Sequence, residues 1–288
     1  MAPRKDQHNS GQGPEGAFRR NPEAVTPVIP RPPDDSENGR AGGPRFVFDA
    51  EEVRIREESL REAARELKSS LAAMAGDCET AEGYAALQAG LELLMPRLYL
   101  RYGEYVSSVL ETGPERVSCA KGCSHCCSHY VTSVEPYELL FLHGRIRSGP
   151  DYPSRVIGMH RRAALFRSLR SGPADEEAED RALYRYYLRG IACPFLADGG
   201  ACGVYSARPM SCRMFFSLSH PSLCRGKAVT APGNRNFLIE LPEDIEADLA
   251  RAGSLFARFE FPESLFEGLL RVNEVFGRFD AARDRSPS

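Results

Sequence analysis

The chain has 288 residues, a net charge of −3, 42% hydrophobic and 27% charged residues, and nine cysteines. Its length admits one large or two modest domains, and its composition is that of an ordinary globular protein. The balanced charge excludes a global pull toward nucleic acid or anionic lipid. No apolar run reaches the roughly 18 residues of a membrane span, and the opening residues MAPRKDQHNS hold no secretory core.

Residues 1–45 carry eight of the 21 prolines and six of the 25 glycines, with almost no large apolar residue before Phe46. Such a stretch cannot bury enough surface to offset its ordering entropy, so a disordered tail is predicted. From Ala50 onward, Val53, Leu60, Ala64, Leu67, Leu71 and Met74 recur at helical spacing, with Gly76 at the end. A second helix is expected from Thr80 to Glu111 on Leu87, Leu91, Leu94, Leu98 and Val106. Pro96 should kink or split it, because proline lacks an N–H and clashes with the preceding turn. Residues 46–116 thus form a helical scaffold.

Further helices are expected over 134–147, 153–171, 176–189, 243–259 and 262–279. Ser133 suits the first as N-cap, with Glu135 and Pro136 in the first turn. Pro153 and Pro262 stand near helix starts, Gly172 and Gly190 just past helix ends. The acidic run Asp175 to Asp180 fits a solvated helix N-terminus. Tyr184, Tyr186 and Tyr187 fit helix packing. Phe237 to Leu241 is the one convincing strand-like run. The last helix carries Leu265, Leu269, Val272 and Phe276 on one side, and residues 228–280 should pack as C-terminal helices on the core. The expected fold class is mostly α: an irregular helical domain, a loop-rich cysteine region at 117–227 and a disordered N-terminal tail.

The cysteines are the anomaly. A chain without an export signal is expected in the cytoplasm, where disulfides are disfavoured; metal binding or redox chemistry then becomes the leading explanation. The first group is Cys119, Cys123, Cys126 and Cys127, within VSCAKGCSHCCSHY. In a helix each residue turns by about 100°, so the four would share one face. Cysteine ligates as thiolate, and a tetrahedral zinc or an iron–sulfur cluster takes four sulfurs. Adjacent side chains on a helix diverge, so Cys126 and Cys127 should serve different metals, bridge a pair, or leave one spare. The second group, Cys193, Cys202, Cys212 and Cys224, comes from sequence broken by Pro194, Gly199, Gly200, Gly203 and Pro209, hence loops. Cys78 stands apart and fits a small buried hydrophobe. His129 borders the first group; a solvated or hydrogen-bonded role suits it better than ligation.

Charge points the same way. From Gly199 to Ile239 there is no Asp or Glu, yet Arg208, Arg213, Arg225, Lys227 and Arg235 are present. Two four-cysteine zinc sites would leave about −4 of charge. Nearby guanidinium groups would neutralise it and hydrogen-bond the sulfurs. Arg208 and Arg213 flank Cys212 and are the best candidates for that role, or for binding an anionic ligand. Nucleophile elbows, phosphate-binding loops, His-Glu-x-x-His and dinucleotide fingerprints are missing. Basic residues are not interleaved with aromatics as a nucleic-acid groove requires.

The doubled cysteine, the Glu-led helix start at Glu135, then CPFL (193–196), Cys202, Tyr205, Arg208-Pro209 and Cys212-Arg213 carry a resemblance. Over roughly residues 117–225 the chain resembles the cysteine-cluster family described as zinc- or iron-chelating domain proteins. It is similar in its cysteines to the flagellin lysine N-methylases, which carry an iron–sulfur centre with S-adenosylmethionine chemistry. The resemblance implies metal binding at Cys119, Cys123, Cys126, Cys127, Cys193, Cys202 and Cys212, with Cys224 as the further downstream cysteine. The expected cofactor is zinc or iron, a 4Fe–4S cluster included. The expected function is metal binding through two groups of four cysteines, with metal ions as partner and neither membrane nor nucleic acid. The alternative is an iron–sulfur-dependent enzyme, such as a protein-modifying methylase or a redox enzyme. A metal-free thiol redox sensor is the third reading.

Overall fold

The computed structural model describes residues 50–283, apart from 114, 121, 171–175 and 232. The tail expected over 1–45 lies outside the described residues, as do Gly172 and Asp175.

The apolar spacing after Ala50 builds α1, Ala50–Met74, with Leu60, Ala64, Leu67 and Leu71 buried. A short turn, Ala75–Asp77, returns the chain into α2, Ala81–Thr112. Thr80 caps α2 by accepting the Gly83 N–H at 3.0 Å. Of the two outcomes expected at Pro96, a kink or a split, the split does not occur: α2 runs unbroken through this proline. It stands on the exposed face, where solvent can take up the carbonyl it frees, while Leu91, Met95 and Leu98 hold both sides to the core.

The next helices are α3 (Pro136–Ile146), α4 (Tyr152–Leu169) and α5 (Glu176–Tyr187). Glu135, rather than Ser133, is the N-cap of α3; Ser133 has a left-handed φ of 55°. The returning half of a capping box is present, since Glu138 accepts the Glu135 N–H at 3.3 Å. The chain closes with α6 (Glu243–Ser254) and α7 (Leu265–Arg283). The expected strand shrinks to β2, Asn236–Leu238, which pairs antiparallel with an unforeseen β1, Phe215–Ser217. Among the described residues the protein is therefore mostly α, with one two-stranded ribbon, and no helix is long and apolar enough to cross a membrane.

One core joins these pieces. The α1–α2 hairpin packs on α6 and α3, and α3 and α4 both lie on α7. Tyr84 of α2 stacks on Phe276 of α7, ring centroids 4.5 Å apart and nearly parallel. Beside that stack lies a buried polar network. His143 is fully buried; its Nδ1 meets the Tyr84 hydroxyl at 3.4 Å and its Nε2 the Tyr152 hydroxyl at 3.1 Å. Tyr152 in turn donates to Asn273 at 2.9 Å. Burial, reinforced by the Arg147 charge and opposed by Asn273, pushes His143 down to about 4.

That network predicts an acid sensitivity. Between pH 6.5 and 4 the unfolded chain protonates this imidazole while the fold does not. Stability therefore falls with pH across that window, by up to about 1.4 kcal/mol per unit. Denaturant titrations at several pH values should show a flatter slope there for His143→Gln than for the wild type. Glu135, pushed up to about 7 by burial and by Glu138, Glu263 and Glu246, contributes the opposite slope and is common to both proteins.

Candidate metal centre

The first cysteine segment does not form the expected helix. Gly122 takes a left-handed φ of 90°, and only His125–Ser128 makes a short helical turn. The single-face alignment of Cys119, Cys123, Cys126 and Cys127 on a helix is thus replaced by a looped strand of chain. Ser118 fastens it to β1, its N–H to the Ser217 carbonyl at 2.8 Å and its hydroxyl to the Ser217 and Ser219 carbonyls. The turn bearing Cys126 and Cys127 packs on the turn Pro221–Cys224.

The second group comes from loops, as the prolines and glycines foretold. Residues 195–203 form a tight hairpin: the Ala197 N–H bonds the Ala201 carbonyl at 2.8 Å and the Gly203 N–H the Phe195 carbonyl at 2.7 Å. Leu196 and Cys202 are bridge partners across it. At its tip Gly200 has φ 80°, and a side chain there would meet the Gly122 carbonyl at 3.0 Å and the Ser124 hydroxyl at 3.3 Å. The absence of a side chain lets the hairpin touch the first cysteine segment. Cys212 follows in the turn Met210–Cys212, and Cys224 ends the turn Pro221–Cys224.

These folds bring the thiols of both segments into one another's electrostatic reach. Cys119 senses Cys123, Cys126 and Cys224. Cys127 senses Cys126 and Cys193, and Cys193 senses Cys202. Cys212 senses Cys193 and Cys126. The two sets meet at three places, Cys119 with Cys224, Cys127 with Cys193 and Cys126 with Cys212. All nine cysteines are free thiols; Cys119 is exposed, Cys224 and Cys78 are buried, and the rest are half-buried. Burial pushes Cys119 and Cys193 up and takes Cys212 up to about 12. In the vicinal pair a hydrogen bond from Cys127 pulls Cys126 down to about 6, while Cys127 is pushed up by holding that shared proton. Among the described residues, no three Cys, His, Asp or Glu side chains are placed to hold a metal ion. The donors fit a soft metal in kind, and ligation requires rotation of several thiols toward a common point.

Arg208 lies among the sulfurs. Its charge pulls Cys126 down, and it lies within electrostatic reach of Cys212, Cys127 and Cys202 as well. Arg213 is engaged elsewhere. It donates to the carbonyls of Arg208 at 2.6 Å and Tyr205 at 2.7 Å, and lies 4.5 Å over the Tyr99 ring. It braces the turn that carries Arg208 and Cys212. His129 stacks on Tyr187 at 4.3 Å, and burial pushes it down. Cys78 is fully buried, accepting from Arg258 at 3.3 Å and facing the Ala75 carbonyl at 3.1 Å.

Two supports went unrecognised in the sequence. Glu138 of α3, 1% exposed, accepts the Tyr99 hydroxyl at 2.9 Å and the Met210 N–H at 2.8 Å, so it anchors the Cys212 turn to the helices. Arg162 of α4, 2% exposed, donates to the carbonyls of Ile191, Cys127 and His129. Its position in the series Met159, Arg162, Ala163, Phe166 is the signal, because that spacing is an inward face.

Compared with protein-family models, with curated proteins and with solved structures, the chain matches none.

The anchor predicts a clear mutant contrast. Glu138→Ala strands two buried donors, each worth roughly 1–3 kcal/mol. Glu138→Gln keeps an acceptor in place. Urea unfolding should therefore show a large loss for the alanine variant and a much smaller one for glutamine.

Proposed function

We propose that this chain is a metal-binding cysteine-cluster protein, taking zinc or iron through Cys119, Cys123, Cys126, Cys127, Cys193, Cys202, Cys212 and Cys224. One observation carries the reading. Thiols from two segments far apart in sequence gather around Arg208, unpaired by disulfides. A half-buried guanidinium without a carboxylate partner among the described residues suits thiolates, and a bound ion is what keeps several neighbouring thiols ionised. The resemblance of the motifs around these cysteines to those of the zinc- or iron-chelating cysteine-cluster family suits the same assignment. A reducing, cytoplasmic setting accords with free thiols.

Solvent reaches the cluster through exposed Cys119 and the half-buried sulfurs around it. That access favours a metal that exchanges, as in storage or delivery. It also gives the second reading its footing: an iron–sulfur centre open to a reactant, as a protein-modifying or redox enzyme needs.

Anaerobic purification followed by elemental analysis and a visible spectrum tests both. Stoichiometric zinc or iron is expected. Zinc alone in a colourless protein ends the iron–sulfur version. No metal together with reversible disulfides overturns the proposal in favour of a thiol redox sensor. Chelation should raise protease sensitivity within 117–227 while the helical circular dichroism of the α1–α2 scaffold persists. Cys126→Ser, which removes a thiol near both Arg208 and Cys212, should lower metal content more than Cys78→Ser, whose thiol lies in the apolar core.

A further inference from the structure

Arg162 is a cation enclosed on the inner side of α4. Its guanidinium donates to the Ile191 carbonyl at 2.8 Å and to the Cys127 and His129 carbonyls at 3.4 Å each. The Phe266 and Tyr186 rings cover it at 4.8 and 5.2 Å. Its Nε has no hydrogen-bond partner, and it forms no ion pair among the described residues. A buried positive charge held only by carbonyls and ring faces is costly unless negative charge stands close by. The carbonyls it grips identify where that charge would arise. One belongs to Cys127 in the first thiol segment. Another belongs to Ile191, two residues before Cys193 in the second.

We infer that Arg162 is a positioning residue for the metal centre: it fixes Cys127 and Cys193 relative to each other and supplies the buried positive charge that thiolates around an ion require. This inference rests on the metal-binding reading. The planar fork of arginine spans carbonyls from two segments at once, which the single ammonium of lysine does not reproduce. It differs from the role of Arg208, which meets the sulfurs themselves. Arg162 acts on the backbone behind them.

The test uses the full chain as wild type, Arg162→Met, Arg162→Lys and Met159→Ala, with cobalt(II) as probe under anaerobic conditions. Met159 is fully buried on the same helix and carries no charge, so its variant reports what damage to α4 packing does alone. Both Arg162 variants should lose about 10- to 100-fold in cobalt affinity and alter the thiolate-to-cobalt charge-transfer band. Met159→Ala should lower the melting temperature and leave affinity and band unchanged. Hydrogen exchange on metal-free protein gives a second readout, with faster exchange expected at 127–130 and 191–194 in the Arg162 variants only. Wild-type cobalt binding by Arg162→Met, or an equal loss in Met159→Ala, overturns the inference and leaves the metal reading standing. A wild type that binds no cobalt, zinc or iron removes the metal reading. Exchange then decides the positioning claim, and unchanged rates at both segments overturn it.

Discussion

An acid and a base buried at the boundary between helices and loops, Glu138 on α3 and Arg162 on α4, reach past their own helices to backbone groups of the cysteine region. Irregular chain carries N–H and C=O groups that no regular ladder satisfies, and each must find a partner or face water. Glu138 takes the N–H of Met210, and Arg162 takes carbonyls from both cysteine segments. A guanidinium serves here because its charge-assisted hydrogen bonds are stronger than those between neutral groups, and because one can hold several acceptors. Arg213 extends the scheme. It binds the carbonyls of Tyr205 and Arg208 and rests on Tyr99, the same tyrosine that donates to Glu138. The loops are thereby tied to α2, α3 and α4 through side chains that touch no sulfur.

The helices were legible because burial repeats with their period. Leu87, Leu91, Leu94 and Leu98 predicted the inner face of α2, and all four are buried. Leu265, Leu269, Val272 and Phe276 did the same for α7. What failed were local inferences that tertiary context overrode. Proline's rule would split α2 at Pro96, but Leu91 and Met95 before it and Leu98 after it are buried in the core and hold the helix unbroken. Ser133 has the better capping chemistry, yet Glu135 takes the cap because Glu138 returns a bond to its N–H. The cysteine spacing suggested a helical stripe, and Gly122 in a left-handed conformation replaces it with a loop.

The thiol set was legible in identity and illegible in arrangement. Spacing separated the cysteines into two groups of four; the fold brings the groups together through Cys119, Cys126 and Cys127. Arg208 and Arg213 looked equivalent on either side of Cys212, and the turn between them sends one toward sulfur and the other toward Tyr99. Glu138 and Arg162 carry no signal of their own in the sequence, because a charged residue in a helix ordinarily faces water. Only its register against Met159, Ala163 and Phe166 marks Arg162 as inward.

The division of labour between scaffold and thiols bears on what a metal would do here. In the loops that carry the cysteines, as distinct from α3, α4 and α5 between them, few large side chains enter the core, among them Tyr130, Val134, Phe195, Val204 and Met210. Burial of that size orders only a small part of so long a stretch of loop. Glycine-tipped contact between the two segments, the ties to β1, and the grips of Glu138, Arg162 and Arg213 supply further order without involving any thiol. A loop region held in this way keeps its sulfurs near one another, and in the proposed reading an ion would have less ordering to impose. The same anchoring leaves Cys119 exposed and most of the other sulfurs half-buried, so in the proposed reading an ion could leave without unravelling the helices. In the proposed reading, pre-assembly and access together fit a centre that loads and unloads better than one whose sole task is to hold the fold.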